Sequence, residues 1–485
     1  MKRNRIFKVL LSMMLVLVML SACGNKDNGT VTEGKNTVEE GGEAAKSEEA
    51  AKSEEAAESR DTADIVDESP SSDKDGLTLS DEAITITLWD ISTEDPVKSN
   101  TEDAIARFMA DYTNVTVDFV HTQNDSYKEK LVIAMSSGQC PDMYMHWGGG
   151  PMIEYMKSGF ASDITSLYEN YCDVDFLKSA IAQCTYNDKM YAIPYGGISG
   201  SGIFYNKSIF DKVGVDVPTT IGELEAVCDK LLAVGYTPFS LANGSKWTGS
   251  MYFMYLATRY GGTGSFAAAA DGSGAFTDEA FMYAAETIQD WVRKGYFPEG
   301  VNSLSTDDGQ DRQLMYQEKC AMMLQGSWQS RNMRRDNEEW YTKNIGYFAF
   351  PALEGSEFDQ KIVVGTSIGN GFSFNCDGEK LKACFILATQ YYNDDIYNQK
   401  QLEANTIPSI VGMGGAIEDE CMRQVWADFS AAPEVQLWYD QYLPPEVSEK
   451  HKDLCQDIFG LTMTPEKANQ ALQDSMDAYL GNNVK

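Results

Sequence analysis

The chain is 485 residues long and carries 73 Asp plus Glu against 39 Lys plus Arg, a formal net charge of −34 at pH 7. That balance excludes nucleic acid as a partner, because phosphate binding needs a cationic face whose contacts release counterions. Only His121, His146 and His451 represent histidine, so triad chemistry and His-rich metal sites lack raw material.

The first residues read as a targeting segment. Lys2, Arg3, Arg5 and Lys8 precede a mostly apolar run from Val9 to Leu20, which ends in Leu20-Ser21-Ala22-Cys23. A basic start, a short apolar stretch and small residues at its end form a secretory signal peptide, too short and one-sided for a conventional membrane span. Leu-Ser-Ala-Cys resembles the bacterial lipobox, which implies that Cys23 is acylated and becomes the first residue after cleavage of 1–23. Acyl chains supply about 0.8 kcal/mol per buried methylene, and two or more hold a protein to a membrane where one does not.

Residues 24–80 contain no aromatic side chain and repeat Glu-Ala-Ala-Lys-Ser-Glu at Glu43–Glu48 and Glu49–Glu54. Such a segment buries too little apolar surface to offset chain entropy and reads as a disordered acidic stalk. As a flexible coil it would span roughly 40 Å, enough to hold a folded domain away from the outer face of a single-membrane cell. The remainder is long enough for two domains or two lobes. Besides Cys23, cysteines stand at 140, 172, 184, 228, 320, 376, 384, 421 and 455 with no Cys-x-x-Cys pair. Their scatter predicts neither a zinc site nor a disulfide framework, and most should be buried as small hydrophobes. No cofactor is expected.

Along the folded part, Ala83–Trp89 alternates apolar and polar residues as a first strand. A helix follows with Ala104, Ile105, Phe108 and Met109 on one face, then a second strand over Val115–Val120. A helix over Tyr127–Ser136 leads to a short strand, Pro141–Met145, that ends at His146-Trp147 and three glycines. Strands and helices alternating in this way predict an α/β fold with a parallel sheet and ligands at the strands' C-terminal ends. Thr220-Ile221-Gly222-Glu223 has the form of a capping box, opening a helix that turns Leu224, Val227, Leu231 and Leu232 inward. Another amphipathic helix spans Asp278–Lys294 with Phe281, Ala285, Ile288 and Trp291 on its apolar face and Gly295 as its stop. Cys320–Leu324 reads as a strand ending in Gln325-Gly326-Ser327-Trp328, which places Trp328 at a strand's C-terminal rim.

Tyr191-Ala192-Ile193-Pro194-Tyr195-Gly196-Gly197 and Gly202-Ile203-Phe204-Tyr205-Asn206-Lys207-Ser208-Ile209-Phe210 resemble the extracellular solute-binding proteins of family 1, relatives of maltose-binding protein. Gly138–Asp142, Gly295–Pro298, Lys319–Met323 with Gly326–Trp328, and Gly460–Ala468 fit in the same order. The resemblance implies a two-lobed periplasmic-binding-protein-like fold of class II, with the ligand in the cleft between lobes joined by three crossovers. One lobe would take 83–197 and 353–403, the other 198–350 and 408–485, with crossovers at Gly196–Gly200, Pro351 and Asn405–Pro408. It further implies capture of a carbohydrate by a monomeric, lipid-anchored receptor that delivers it to the permease of an ABC importer, without catalysis.

Sugar rings present apolar faces edged by hydroxyls, so their sites pair stacked aromatics with carboxylates, amides and arginines. Trp328 matches the family's cleft tryptophan after Gly-x. Trp147, and Trp89 with Asp90, are placed at the site by their positions after strands and by the family pattern, Asp142 by its Pro-Asp motif, and Trp247 and Trp438 as further aromatic candidates; the alternatives are plain core packing for these tryptophans and a cap or turn role for Asp142. Gly369-Asn370-Gly371 either borders the cleft or turns a strand. Arg331, Arg334 and Arg335 would favour anionic cargo if they face the cleft and mean little if they face solvent. A sensor for a membrane kinase shares all these features, and an exported glycoside hydrolase would also use sugar-facing aromatics and carboxylates.

Overall fold

A computed structural model describes residues 76–366, 368 and 370–483. The signal peptide, Cys23 and nearly all of the acidic stalk therefore lie outside the described residues, as does Gly369. Thirteen strands occur among those described: β1 Ile84–Asp90, β2 Val115–His121, β3 Met143–His146, β4 Thr185–Tyr186, β5 Lys189–Met190, β6 Ile193–Tyr195, β7 Ser199–Asn206, β8 Thr237–Phe239, β9 Cys320–Gly326, β10 Ile345–Phe348, β11 Val363–Thr366, β12 Asn370–Phe374 and β13 Val435–Gln436.

They build two α/β lobes. The first sheet runs β2-β1-β3-β12-β6, and the second runs β13-β11-β7-β9-β8 with β10 also paired to β7. Both sheets are mixed. Strands β1, β2 and β3 are parallel, as the alternation of strands and helices predicts, but β12 runs antiparallel to both β3 and β6. The sheet departs from an all-parallel one because β12 returns from the other lobe and enters from the opposite direction. A separate hairpin, β4-β5, lies outside both sheets.

Local chemistry explains the main helices. Thr220 accepts from the Glu223 backbone N–H at 3.2 Å while the Glu223 carboxylate accepts from the Thr220 N–H at 3.3 Å, the reciprocal cap expected for Ile221–Ala233. Helix Glu279–Lys294 buries Phe281, Ala285, Ile288 and Trp291 and stops at Gly295 with φ 81°. Its Trp291 indole donates to Glu225 at 2.8 Å, so the ring is fully buried without an orphaned N–H. Each lobe has its own core: Ile86, Leu88, Phe108, Tyr144 and Phe372 in the first, Leu224, Phe239, Leu256 and Trp291 in the second. A fully buried side chain such as Phe108 contributes about 2–3 kcal/mol through lost apolar surface.

The chain passes between the sheets after Tyr195, where Ile198 N–H donates to Ile407 O at 2.8 Å and Gly197 bridges Pro408. The passage back falls between Thr366 and Asn370, later than the predicted Pro351. The reason is that β11 pairs with both β7 and β13 and so belongs to the second sheet, while β12 belongs to the first. A third passage follows helix Asp395–Glu403: Tyr397 and Ile410 sit in the first core, whereas Met422 and Val425 pack under the second sheet. Of the nine cysteines among the described residues, six are buried.

Candidate functional site

Both sheets present strand ends to a single cavity of about 270 Å³. The residues following β1 (Ser92, Glu94), β3 (Trp147) and β6 (Gly196, Gly197) line one side, and those following β9 (Trp328) and β13 (Trp438) line the other. Strand ends supply such sites because the backbone there leaves the ladder while the sheet still holds it in place.

Trp328 occupies the centre of an aromatic group on the second lobe. Its ring centroid is 5.8 Å from that of Trp247 and 6.0 Å from that of Trp438, with interplanar angles of 64° and 59°. The backbone around it is fixed: Ser327 N–H donates to Gly200 O at 2.8 Å. A Cβ on Gly326 would lie 2.2 Å from the Trp328 ring, so glycine is required for the indole to fold back over β9. Trp247 opens helix Trp247–Asp271, and its indole N–H, buried at the cavity, has no hydrogen-bond partner. Across the cavity, Trp147 is held by Tyr127 at its edge, 6.0 Å between centroids, and by Lys128 Nζ 4.8 Å from the ring centre.

Around these rings runs a polar rim. Lys128 of the first lobe lies 4.0 Å from the Asp440 carboxylate of the second. Burial holds its ammonium below the ordinary lysine range, with Asp440 opposing the shift. Arg335 pairs with Glu94 across the cleft and with Asp336 at 2.6 Å on its own lobe. Burial also works against the charge on Arg312, but its ion pair with Asp336 at 2.7 Å raises its pKa above the usual value. Arg331 donates to Thr406 Oγ1 at 3.0 Å. Asp307 is raised to about 6, first by burial and then by the charge of Asp125.

The sequence-predicted residues divide into two groups. Trp328, Trp147, Trp247 and Trp438 line the cavity, as do Asn370, Arg331 and Arg335. Arg334 instead pairs with Glu338 at 3.2 Å on the exposed side of its helix. Trp89 does not line the cavity: strand alternation turns it to the face opposite Leu88, where Lys130 Nζ stands 4.3 Å over its ring. Asp90 lies beneath the lining, fully buried, accepting from Ser92 N–H at 3.0 Å and pairing with His121. Through Ser92, whose hydroxyl is 3.1 Å from Tyr195 Oη, it positions the wall. Asp142 is far from that role. It precedes β3, at the end of the sheet opposite the cavity, and binds Thr87 N–H at 2.9 Å, Thr87 Oγ1 at 3.0 Å and Lys380 at 3.2 Å.

Sequence reasoning missed Lys128, Asp307 and Asp440, which meet only across the cleft and leave no local signal. It also missed Gln401, whose side-chain oxygen is buried at the cavity without a partner. Among the described residues no cluster of three or more His, Cys, Asp or Glu suits a metal ion, and no helix is long and apolar enough to cross a membrane. Stacking surfaces, unpaired donors and mixed charges suit reversible binding of a polar molecule with apolar faces.

The family of bacterial extracellular solute-binding proteins matches residues 92–393, well over half of the chain. The chain belongs to that family. An uncharacterized ABC transporter extracellular-binding protein of Pyrococcus horikoshii is 26% identical over 52% of this chain and 57% of its own length. A multiple sugar-binding protein of Streptococcus mutans is 29% identical over 44% of this chain and 49% of its own. The solute-binding chain thus spans about half the length of the curated relatives it matches. A solved protein from work on xylan utilization by the thermophilic bacterium Caldanaerobius polysaccharolyticus is 27% identical, with a TM-score of 0.75 over 80% of this chain and 99% of that one.

Proposed function

We propose that this solute-binding protein captures a carbohydrate between its lobes and presents it to the permease of an ABC importer. The observation that carries the reading is the convergence of Trp147 from the first lobe with Trp247, Trp328 and Trp438 from the second on one cavity with a polar rim. Indole faces match the apolar faces of pyranose rings, while Asn370, Gln401, Asp307 and Asp440 meet their hydroxyls. The sugar-binding name of the Streptococcus mutans relative supports the same ligand class.

A ligand touching both sets of tryptophans stabilises the closed arrangement, and closure is the signal a permease reads. Acylation at Cys23 would hold this receptor on the outer face of the membrane, and the acidic stalk of residues 24–80 would give it reach. The receptor acts as a monomer and performs no chemistry on its cargo.

Intrinsic tryptophan fluorescence of the purified protein, titrated with mono- and oligosaccharides, tests the proposal. A saturable shift with one sugar series, lost in Trp328→Ala without loss of folding, is the expected result. No response to any saccharide would overturn it.

A further inference from the structure

The charges lining the cavity are paired, with one cationic exception. Lys128 faces Asp440, Arg335 pairs with Glu94 and Asp336, and Arg312 pairs with Asp336. Arg331 has no carboxylate partner among the described residues, and its guanidinium donates one hydrogen bond, to Thr406 Oγ1 at 3.0 Å. The nearby Glu94 is already engaged by Arg335. Arg331 lies on helix Trp328–Asp336, one turn beyond the central tryptophan, so both side chains reach the cavity from the same helix face.

A guanidinium carries five N–H donors in a planar fork that matches two oxygens of an anionic group. Arg331 is half-buried, and most of its donors are left open to the cavity, where a ligand's oxygens can complete the pairing. Burial does press the Arg331 pKa downward, the direction expected for a cation without a counter-ion. Asp307, the lining acid without a cationic ion-pair partner, sits beside Asp125 and Lys128 rather than beside Arg331.

We propose that the cargo is an anionic saccharide whose charged oxygens are held by Arg331 while a neighbouring ring stacks on Trp328. The chemistry is shared by uronic acid carboxylates, sulfate esters and phosphate esters, each offering two or three acceptor oxygens to the fork. This inference rests on the carbohydrate reading above and specifies its charge.

The test is calorimetric titration of the purified protein with matched probes: oligogalacturonides and glucuronic-acid-substituted xylo-oligosaccharides with their methyl esters, sulfated disaccharides with their desulfated forms, and hexose 6-phosphates with the parent hexoses. At least one charged member should bind about 100-fold more tightly than its neutral counterpart, and which pair shows the difference identifies the anion. Arg331→Gln should bring that ratio below about tenfold, with charged members losing more affinity than their neutral counterparts. Arg331→Lys should restore only part of it, because a point charge lacks the fork. Ligand-free Arg331→Gln should melt no lower than the parent, since it removes a half-buried charge that has no carboxylate partner among the described residues. Neutral members binding as tightly as charged ones would overturn this inference and leave the carbohydrate reading standing. An Arg331→Gln protein that loses neutral and charged ligands alike would do the same. If no saccharide of either kind binds, both readings fall.

Discussion

The Asp307 carboxylate of the second lobe accepts a hydrogen bond from the backbone N–H of Asp125 in the first, at 3.3 Å. Burial and the Asp125 charge raise Asp307 to about 6, while Lys128 acts in the opposite direction and Asp308 adds a further negative charge. A raised carboxylate pKa means that ionisation disfavours this arrangement. No penalty exists below the ordinary value near 4; it grows between about pH 4 and 6 and stays constant above. A shift of about two units corresponds to about 3 kcal/mol at most, and solvent at this half-buried site reduces that to about 1–2 kcal/mol. Asp307→Asn keeps an acceptor for Asp125 and removes the charge. Its melting temperature should exceed the parent's above pH 6 and coincide with it near pH 4; equal curves throughout would contradict this account.

Trp328→Ala removes the platform that Trp247 and Trp438 flank. Central aromatic contacts of this kind are worth about 2–4 kcal/mol in binding, so saccharide affinity should fall by roughly 30- to 1000-fold. The far-ultraviolet circular dichroism should not change, because the ring is partly exposed at the cavity and packs on the edge of the core rather than within it.

Gly326→Ala places a Cβ against the Trp328 ring, 2.2 Å from its atoms before relaxation. The indole must swing away, since β7 holds the backbone beneath it through the Ser201–Gly326 pair and the Ser327 N–H bond to Gly200 O. Affinity should drop nearly as far as in Trp328→Ala, with a shifted fluorescence maximum as the direct sign of ring movement.

Asp142→Ala separates architecture from binding. The carboxylate holds Thr87 N–H, Thr87 Oγ1 and Lys380. Losing it leaves the half-buried Thr87 at the middle of β1 short of its acceptor at a cost of about 1–3 kcal/mol, read as a lower denaturant midpoint. Ligand affinity, measured well below that midpoint, should stay within a factor of about three, which is less than 1 kcal/mol.

Much of this was legible in the chain because it is local. The alternation in Ala83–Trp89, the capping box at Thr220 and the apolar stripe of Phe281, Ala285, Ile288 and Trp291 each require only a few neighbouring residues to recognise. Trp328 was legible at a strand's rim for the same reason, as the second residue after a strand that ends in glycine. Trp89 was misplaced because only strand phase decides its face, and the lining begins two residues later at Ile91 and Ser92. Asp142 was misplaced because it precedes its strand rather than following it. The late return between Thr366 and Asn370 depends on β11 pairing with β13, 72 residues apart at Val363 and Val435, and the Lys128–Asp440 contact is longer in range still. No local pattern encodes either.

The most direct test is calorimetric titration of the parent protein and Trp328→Ala with the saccharide that gives the largest fluorescence shift. The account predicts one saturable site per chain, unaltered saccharide recovered afterwards, and loss of binding in a Trp328→Ala protein that melts like the parent. Equal affinity in the two proteins, or shorter saccharides released during the titration, would contradict it.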